Sequence, residues 1–437
     1  MKRPSYTGMW VAILLSASVP FGLGAQTETR FIQVKAKDKF ERSAVANTGM
    51  TIEFVRSDSV WGFAAPEALK ELQRRGHQIL GNFSAEVGRS GHEGTLDFPN
   101  ADARYHNYAE LAAEMKRIHM SATDITRFQS IGQTPEGREM FAMNINTNPE
   151  DLASGKSSKP GIVYMGAHHA REHLSVEIPL MFLDYLIKNR EDSAIKTLLD
   201  NRDIWIIPMI NPDGAEYDIA TGTYKVWRKN RTKNGNGTYG VDLNRNYGYG
   251  WGTGGSSRNP NDETYMGTAP FSEKETQNVK AFVDARPNLK VLLSFHTFSE
   301  LILYPWGGTH DPISNKEDLA AFQSMAKTMA AWNGYTPEQS SDLYIASGDT
   351  TDWAYATHGI FAFTFELSPK SAFGSAGFYP GAKVIDKVFN DNIKPCMYLL
   401  DITDNPHKTL DHRPSGFLKY LIEPGISYAD YFQTSLF

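Results

Sequence analysis

The sequence predicts an α/β fold in which a mostly parallel mixed sheet is covered by helices on both faces, preceded by a small α+β sandwich. From about residue 98 to 402, apolar runs of strand length alternate with amphipathic helical stretches, which is the pattern of a sheet with crossover helices. The runs at 291–295 and 360–365 show no polar alternation, as is typical of strands buried on both faces. The chain has 437 residues, of which 41% are hydrophobic, so it is long enough to bury such a core.

Residues 1–25 are predicted to be a secretory signal peptide. Two basic residues precede an apolar stretch at 9–23, and small residues come just before a polar run, the order of an export signal. The alternative is a membrane anchor, but the apolar stretch is short for a span of about 20 residues and is interrupted by Pro20 and Gly22. We therefore expect a secreted protein, extracellular or periplasmic, with no membrane as a partner.

Residues 26–83 are expected to form a small module of their own. Its predicted elements are strands at 31–34, 51–54, 60–64 and 77–80 and helices at 39–46 and 66–75. Residues 84–97 are polar, rich in glycine and without periodicity, so they are expected to be a linker that a protease can cut, with Arg89 as a basic cleavage point. The alternative is a plain hinge between two domains.

The elements of the larger part follow in order along the chain. A strand at 161–166 leads into a helix at 174–188, and a second strand at 203–210 ends in a turn at 211–214. Ser272-x-x-Glu275 has the form of a capping box and is expected to open a helix that runs to 284. Helices at 316–332 and 383–400 complete the prediction, and the tail 404–437 is an extension of unknown role.

Four residues that can bind a metal or move a proton follow predicted strands. His169 and Glu172 follow the strand at 161–166, His296 follows the strand at 291–295, and Glu366 follows the strand at 360–365. Ligands of open α/β sheets bind at such strand ends, and two imidazoles with one carboxylate are a common zinc set. A further carboxylate can take a proton from water and deliver it to a leaving amine. The single cysteine excludes a cysteine-cluster site.

Two other readings of these histidines are open at this point. His169-Ala170-Arg171-Glu172-His173 also matches H-x-x-E-H, in which both histidines bind zinc and the glutamate is the base. That motif belongs on a helix, whereas here it falls where a strand meets a helix, and it leaves His296 without a role. Each histidine taken alone is also compatible with a buried core residue.

A cationic cluster lies in the loop-rich region after residue 212. It contains Arg228, Arg231, Asn244 and Arg245, and an arginine fork can bind a carboxylate through two hydrogen bonds. The formal net charge of the chain is −6, so the protein as a whole does not attract phosphate backbones. We therefore expect no nucleic acid partner, and we expect the cluster to bind a small anionic group or to be surface charge.

Several ordered motifs identify a family. The motifs are Gly166-Ala167-His168-His169-Ala170-Arg171-Glu172-His173, residues 227–231, Val241-Asp242-Leu243-Asn244-Arg245-Asn246-Tyr247, residues 294–305, residues 342–345 and Phe363-Thr364-Phe365-Glu366-Leu367. Through them the chain, from about residue 105 to 400, resembles the zinc carboxypeptidases of the carboxypeptidase A type, and most closely bacterial carboxypeptidase T. Their number and order make this match far more specific than H-x-x-E alone.

The resemblance implies a role for each matching residue. His169, Glu172 and His296 match the ligands of one Zn²⁺ ion per chain, and Glu366 matches the general base. Arg231 matches the arginine that stabilises the oxyanion. Asn244 and Arg245 match the pair that binds the terminal carboxylate of the substrate. Tyr344 matches a mobile tyrosine that closes over the substrate, and Arg171 matches an accessory subsite residue.

The resemblance also implies a domain order and a set of partners. Residues 26–96 occupy the place of a propeptide with its activation linker, and residues 97–403 that of the catalytic domain. The expected partners are peptide or protein C-termini, the chain's own propeptide and an activating protease. Structural Ca²⁺ is compatible with an exported protein that lacks disulfides, although no D-x-[DN]-x-[DN]-G loop is present.

The pocket for the C-terminal side chain is the least determined part of the prediction. Residues 346–353 resemble its wall, and Thr351 stands where the family has an aliphatic residue or an aspartate. Asp349 is expected to reach basic side chains from the wall, which predicts a mixed apolar and basic preference. The alternative is that Asp349 only caps the loop. Two other functions stay open, a hydrolase of cell-wall peptides or D-amino-acid termini and a non-catalytic peptide-binding protein.

Overall fold

The computed structural model describes residues 28–84 and 98–411, which build two sheets. The predicted signal segment 1–25, nearly all of the linker and most of the tail lie outside the described residues. Within the described ranges, no helix has the length and apolar character needed to cross a bilayer.

The first sheet belongs to the N-terminal module, residues 28–84. The elements of the module are β1 (Arg30–Lys35), α1 (Lys39–Ala46), β2 (Phe54–Val55), β3 (Ser59–Ala64), α2 (Pro66–Arg74) and β4 (Ile79–Ser84). The sheet is antiparallel in the order β2-β3-β1-β4. Alternation along β1 separates its faces. Ile32 and Val34 pack in the core of the module, whereas Phe31 on the other face belongs to an apolar cluster with Phe298 and Phe378 of the larger unit and packs edge-on against Phe373.

The second sheet has eight strands and forms the centre of the larger unit. Its strands are β5 (Thr126–Gln133), β6 (Glu139–Ile145), β7 (Gly161–Gly166), β8 (Asp203–Ile207), β9 (Leu289–Thr297), β10 (Leu301–Tyr304), β11 (Thr336–Gln339) and β12 (Phe361–Leu367). Their order is β11-β10-β12-β9-β7-β8-β6-β5. The central strands β12, β9, β7 and β8 are mutually parallel, whereas β10, β6 and β5 join by antiparallel pairing. The predicted mostly parallel mixed sheet is confirmed.

Helices cover both faces of this sheet. They are α3 (Tyr108–Ser121), α4 (Pro149–Ser154), α5 (Leu174–Lys188), α6 (Ser193–Asn201), α7 (Pro212–Ile219), α8 (Lys274–Asp284), α9 (Lys316–Asn333), α10 (Ser340–Leu343), α11 (Thr350–His358) and α12 (Ile385–Ile402). Ile162 of β7 belongs to the apolar cluster that contains α5, α9 and α12, and Val163 belongs to the cluster on the other face, with α8 and α11. Adjacent residues of one strand therefore serve two cores, as expected for a strand buried on both faces.

Local predictions at two helix starts are wrong. Residues 211–214 were expected to form a turn after a strand, but Asn211 caps α7 by accepting a hydrogen bond from the Gly214 amide, with Pro212 at the first helical position. Ser272 does not form the expected capping box. Its hydroxyl donates to the Glu273 side chain, and α8 begins only at Lys274.

The register of the central strands determines which side chains meet. Strands β7 and β9 run parallel side by side, and in the β9–β12 pair Glu366 lies directly opposite His296. The carboxyl ends of all three strands therefore reach the same edge of the sheet, where ligands bind in this class of fold.

Candidate metal centre and adjoining cleft

Three buried side chains converge at the carboxyl ends of β7 and β9. His169 and Glu172 lie in the turn between β7 and α5, and His296 lies near the end of β9. Their ligand atoms are all within 4.8 Å of one another. The Glu172 carboxylate oxygens are 2.8 Å from His169 Nδ1 and 3.0 Å from His296 Nδ1. The structure thus brings together the three residues that the sequence singled out as metal ligands.

The second nitrogen of each imidazole contacts a buried polar atom. His169 Nε2 lies 3.1 Å from Asp242 Oδ1, and His296 Nε2 lies 3.1 Å from Ser294 Oγ. When Nε2–H is donated outward, a neutral ring presents its Nδ1 lone pair to the space beside Glu172, as in histidines that bind metals. Two such rings and one carboxylate fit Zn²⁺. The proposed structural Ca²⁺ stays a prediction.

Opposite charges control the protonation of this cluster. Burial would raise the pKa of Glu172, but His169 and His296 hold it below its ordinary value. Burial lowers the pKa of His296. Burial would also raise the pKa of Asp242, yet Arg228 and His169 hold it well below its usual range. Anionic carboxylates and neutral imidazoles are the protonation states that metal binding requires.

His173 does not join the metal-ligating set. It stands at the start of α5, where Nε2 lies 2.9 Å from Asp218 Oδ2 and the ring packs edge-on against Phe98, 4.8 Å between ring centroids. The alternative H-x-x-E-H assignment therefore lacks its second histidine.

Glu366 lines the cleft beside the three ligands. Glu366 is partly exposed and lies near the carboxyl end of β12. It lines the same cleft as His169 and Glu172. Burial and the neighbouring carboxylates of Glu172 and Glu53 raise the pKa of Glu366 well above its ordinary value. A carboxyl group with a raised pKa in a cleft is suited to accept and return a proton near neutral pH.

Arg228, Asn244 and Arg245 supply the cationic wall of the cleft. Arg228 Nε donates to Asp242 Oδ2 at 3.0 Å, and the backbone amide of Asn244 donates to Asp242 Oδ1 at 3.0 Å. Arg245 donates through Nε to the Gly255 carbonyl and through Nη1 to the Asn244 carbonyl. These contacts hold the two arginine side chains and the Asn244 backbone in place, and they leave further side-chain donors for an anionic ligand.

The structure corrects the predicted role of Arg231. Its guanidinium lies over the ring of Tyr217, 3.6 Å from the centroid, and against Tyr239 at 4.5 Å, in a separate surface depression. The segment 227–231 is irregular, so the direction of each side chain depends on the surface against which the segment packs. Arg228 is the arginine that reaches the cleft.

The proposed pocket residues surround one end of the cleft. Tyr344, Asp349 and Thr351 all line it. Asp349 also caps α11, because Oδ1 accepts hydrogen bonds from the Asp352 amide at 2.8 Å and from the Thr351 hydroxyl at 2.7 Å. Asp349 therefore does cap the helix, as the alternative predicted, and these two hydrogen bonds use only one of its two carboxylate oxygens.

The N-terminal module lies against the cleft. Ile52 and Glu53 line it, and the Tyr344 hydroxyl donates to the Ile52 carbonyl at 3.3 Å. Glu53 contacts Arg171 Nη2 at 2.8 Å, and the other terminal nitrogen of Arg171 contacts Glu263 at 2.7 Å. Arg171 is fully buried between these carboxylates and is not among the residues that line the cleft.

Helix α1 of the module holds the segment that carries Tyr344. Lys39 forms an ion pair with Asp342 at 2.7 Å, and Arg42 donates to the carbonyls of Asp342 and Leu343 at 2.6 Å. The Ile345 amide donates to the Ser43 hydroxyl at 3.0 Å. The tyrosine is thus restrained from both sides by the module.

Sequence reasoning missed the residues behind the ligands. Asp242 lies within the motif that contains Asn244, but its contact with His169 joins positions far apart in the chain. Ser294 and His168 flank two metal ligands, and only the fold reveals their contacts. A polar residue within a buried apolar strand, as Ser294 is in β9, is the one signal that could have pointed to a partner.

Comparisons with known proteins agree on one family. The sequence profile of the zinc carboxypeptidases matches residues 111–394. A zinc carboxypeptidase of Saccharothrix mutabilis subsp. capreolus is 36% identical over 380 residues, which covers 83% of this chain and 86% of that protein. Carboxypeptidase O of Bos taurus is 35% identical over 280 residues, 62% of this chain and 72% of that protein. The closer likeness to carboxypeptidase T stays a prediction.

Solved structures share the fold. Carboxypeptidase A from Helicoverpa armigera aligns with a TM-score of 0.70 at 22% identity, covering 86% of this chain and 98% of that chain. Thrombin activatable fibrinolysis inhibitor aligns with a TM-score of 0.65 at 21% identity, covering 86% of this chain and all of that chain.

Proposed function

The chain belongs to the zinc carboxypeptidase family, and on that premise we propose that it is an exported metallocarboxypeptidase that removes single residues from the C-termini of peptides and proteins. The observation that carries the proposal is that the metal-ligating set, the carboxyl of Glu366 and the Asn244–Arg245 pair meet at one cleft. A metal-dependent hydrolase needs the first two features, and recognition of a free C-terminus needs the third.

The residues divide the hydrolysis among them. When bound by His169, Glu172 and His296, Zn²⁺ supplies a Lewis acid that polarises the scissile carbonyl and makes the attacking water more acidic. Glu366 takes the proton of that water and returns it to the leaving amine. Arg228 donates to the oxyanion, and because Asp242 holds its Nε, the donors that it offers are the two Nη groups.

The carboxylate-binding pair makes the enzyme an exopeptidase. The Asn244 side-chain oxygen accepts two hydrogen bonds from Thr350, so its NH₂ group is the part that serves a ligand. Arg245 adds a guanidinium that suits a carboxylate. A substrate whose last residue carries a free carboxylate satisfies both, whereas an internal peptide bond presents no such anion.

The N-terminal module is proposed to be an inhibitory propeptide. It buries Arg171 and engages Tyr344, two residues that the family resemblance assigns to substrate binding. The alignment with the Saccharothrix relative covers 380 residues, which is longer than the proposed catalytic domain 97–403. Cleavage in the linker by an activating protease, with Arg89 as one basic site, would release the module.

Export and substrate preference complete the proposal. The segment 1–25 has the composition of a signal peptide, and the single buried cysteine, Cys396, is compatible with an oxidising compartment. In the pocket, Asp349 offers negative charge to basic side chains, and Leu303 offers apolar contact. We propose a broad apolar and basic preference at the C-terminal residue.

A peptide supplied with a free or an amidated C-terminus tests the activity. After proteolytic maturation and zinc loading, we expect stepwise loss of single residues from the free form only, measured by mass spectrometry. Glu366→Gln should keep zinc and peptide binding while kcat falls by about 10³-fold, because only the proton acceptor is lost. The exposed Glu191→Gln is the control. Internal cleavage of both forms would contradict an exopeptidase, binding without cleavage would favour a peptide-binding protein, and inertness would favour cell-wall peptides.

The two arginines of the 227–231 segment should differ sharply. Arg228→Gln should lower kcat by about 10²- to 10³-fold, because a preorganised oxyanion donor is removed. Arg231→Gln should change kcat by less than about threefold, since its guanidinium packs on aromatic rings outside the cleft. Steady-state kinetics and thermal midpoints of both variants check this, and a larger loss for Arg231→Gln would reverse the assignment.

Asp349→Asn should separate the two pocket preferences. Asparagine keeps the helix cap but removes the negative charge, so cleavage of peptides ending in Lys or Arg should fall at least tenfold while cleavage after Leu or Phe persists. The ratio of kcat/KM values for matched peptides measures the change. An unaltered ratio would leave Asp349 with the capping role alone.

Inhibition by the module should depend on Glu53. After cleavage of the linker, Glu53→Gln should weaken binding of the released module to the catalytic part at least tenfold, because Arg171 loses one of its two charged partners. Glu71→Gln is the matched control, since Glu71 pairs with Arg74 and Arg75 of its own helix. Equal inhibition constants for both variants would exclude the Glu53 contact as the inhibitory one.

A further inference from the structure

His168 is a fully buried imidazole that the proposed reaction does not use. It precedes the metal ligand His169, but its ring lies behind the ligands, nearly parallel to the ring of His296 at 5.5 Å between centroids. Its Nδ1 is 3.3 Å from Ser294 Oγ, and its Nε2 is 3.0 Å from both Thr350 Oγ1 and the Tyr247 hydroxyl. Both ring nitrogens therefore have polar partners on different structural elements.

These contacts extend into a chain with a functional residue at each end. Ser294 Oγ also lies 3.1 Å from Nε2 of the metal ligand His296. Thr350 Oγ1 donates to Oδ1 of Asn244 at 3.0 Å. A continuous series of hydrogen bonds thus runs from the metal centre, through Ser294, His168 and Thr350, to the residue proposed to bind the substrate carboxylate.

The backbone amide of Thr350 sets the directions of the hydrogen bonds at the Asn244 end of the chain. The Thr350 amide contacts Asn244 Oδ1 at 3.0 Å, and because a backbone N–H only donates, this atom must be the side-chain oxygen. The Thr350 hydroxyl must then donate its single hydrogen to the same oxygen. With hydrogen on His168 Nε2, the Thr350 hydroxyl accepts from it, and the Tyr247 hydroxyl at the same 3.0 Å is a second partner of that N–H.

The same reasoning continues to the metal ligand. A neutral imidazole with hydrogen on Nε2 has an acceptor at Nδ1, so the Ser294 hydroxyl donates to His168 Nδ1. Ser294 Oγ then accepts from His296 Nε2–H. This leaves the lone pair of His296 on Nδ1, the nitrogen that faces Glu172. The tautomer required for metal binding and the orientation required of the Asn244 amide are thus two ends of one chain.

We infer that His168, with Ser294 and Thr350, is a positioning residue that couples the metal centre to the carboxylate-binding residue Asn244. The inference rests on the proposed function for the roles of these two ends. Its consequence is reciprocal, because a coupling between two binding events acts equally in both directions. Breaking the chain at the Asn244 end should weaken metal binding, and breaking it at the metal end should weaken discrimination for a free carboxylate.

Two small substitutions, each made in the full-length protein, break this series of hydrogen bonds at opposite ends. Thr350→Val is nearly isosteric and keeps the backbone amide that holds Asn244, but it removes the acceptor that orients His168. Ser294→Ala removes the partner of His296. Tyr247→Phe is the comparison variant, because it deletes the other hydroxyl at 3.0 Å from His168 Nε2 and leaves the Thr350 hydroxyl in place between His168 and Asn244. Thermal midpoints verify that each variant is folded.

Zinc affinity, measured by competition with a chelator, is the first readout and needs no turnover. Ser294→Ala should weaken it at least tenfold, as expected for a direct partner of a metal ligand. Thr350→Val should weaken it at least threefold although it does not touch a ligand, and Tyr247→Phe should stay within twofold. The double variant should lose less than the product of the single losses, because both substitutions break the same chain. A Thr350→Val affinity equal to that of Tyr247→Phe, or multiplicative losses, would overturn the coupling.

The second readout is the ratio of affinities for a peptide with a free and with an amidated C-terminus, measured by calorimetry in the Glu366→Gln background after proteolytic maturation and removal of the module, because the module lines the cleft. Ser294→Ala should lower this ratio at least threefold, and an unchanged ratio would overturn the reciprocal effect. If the Glu366→Gln protein without a further substitution shows no preference for the free peptide, the proposed role of Asn244 in binding the substrate carboxylate is wrong. The zinc measurements then still decide whether Thr350 and Ser294 act on the metal centre together.

Discussion

The cleft depends on one buried carboxylate, that of Asp242. It contacts the outer nitrogen of His169, the Nε of Arg228 and the backbone amide of Asn244. An isolated carboxylate at a fully buried position would cost several kcal/mol, so the structure must surround Asp242 with donors. Those donors belong to a candidate metal ligand, the proposed oxyanion donor and the proposed carboxylate-binding residue. Compensation of a single buried charge therefore places three functional groups relative to one another.

The contacts of the N-terminal module follow the same rule of charge compensation. Arg171 is fully buried and shared between Glu53 of the module and Glu263 of the larger unit. Removal of the module would expose this guanidinium to water and leave it with one carboxylate. The Arg171–Glu53 ion pair therefore exists only when the module is bound, and it lies in the interface between the module and the larger unit. Tyr344 is held in the same interface through the Ile52 carbonyl. The module thus contacts two residues that are proposed to bind substrate.

The sequence predicted the central strands and long helices well, because their signals are local. Strand β7 and helix α5 occur at the expected positions, since an unbroken apolar run and a long apolar stretch are readable without knowledge of neighbours. The edge strands were not predicted. Strand β5 (TRFQSIGQ) is half-exposed and β11 (TPEQ) has almost no apolar residue, so their strand conformation comes from pairing with β6 and β10, partners that a local pattern does not reveal.

The sequence by itself determined the fold class and singled out the three candidate metal ligands and Glu366, because these residues lie at or just beyond the carboxyl ends of buried strands. The parallel order of those strands brings their ends to one edge of the sheet. Only the tertiary structure decided between Arg228 and Arg231, since the direction of a side chain in an irregular segment depends on the surface against which the segment packs. The same holds for Asp242, Ser294 and His168. The contact of Asp242 with His169 and those of His168 with Ser294 and Thr350 join residues more than 70 positions apart, and such contacts exist only once the strands and loops have come together.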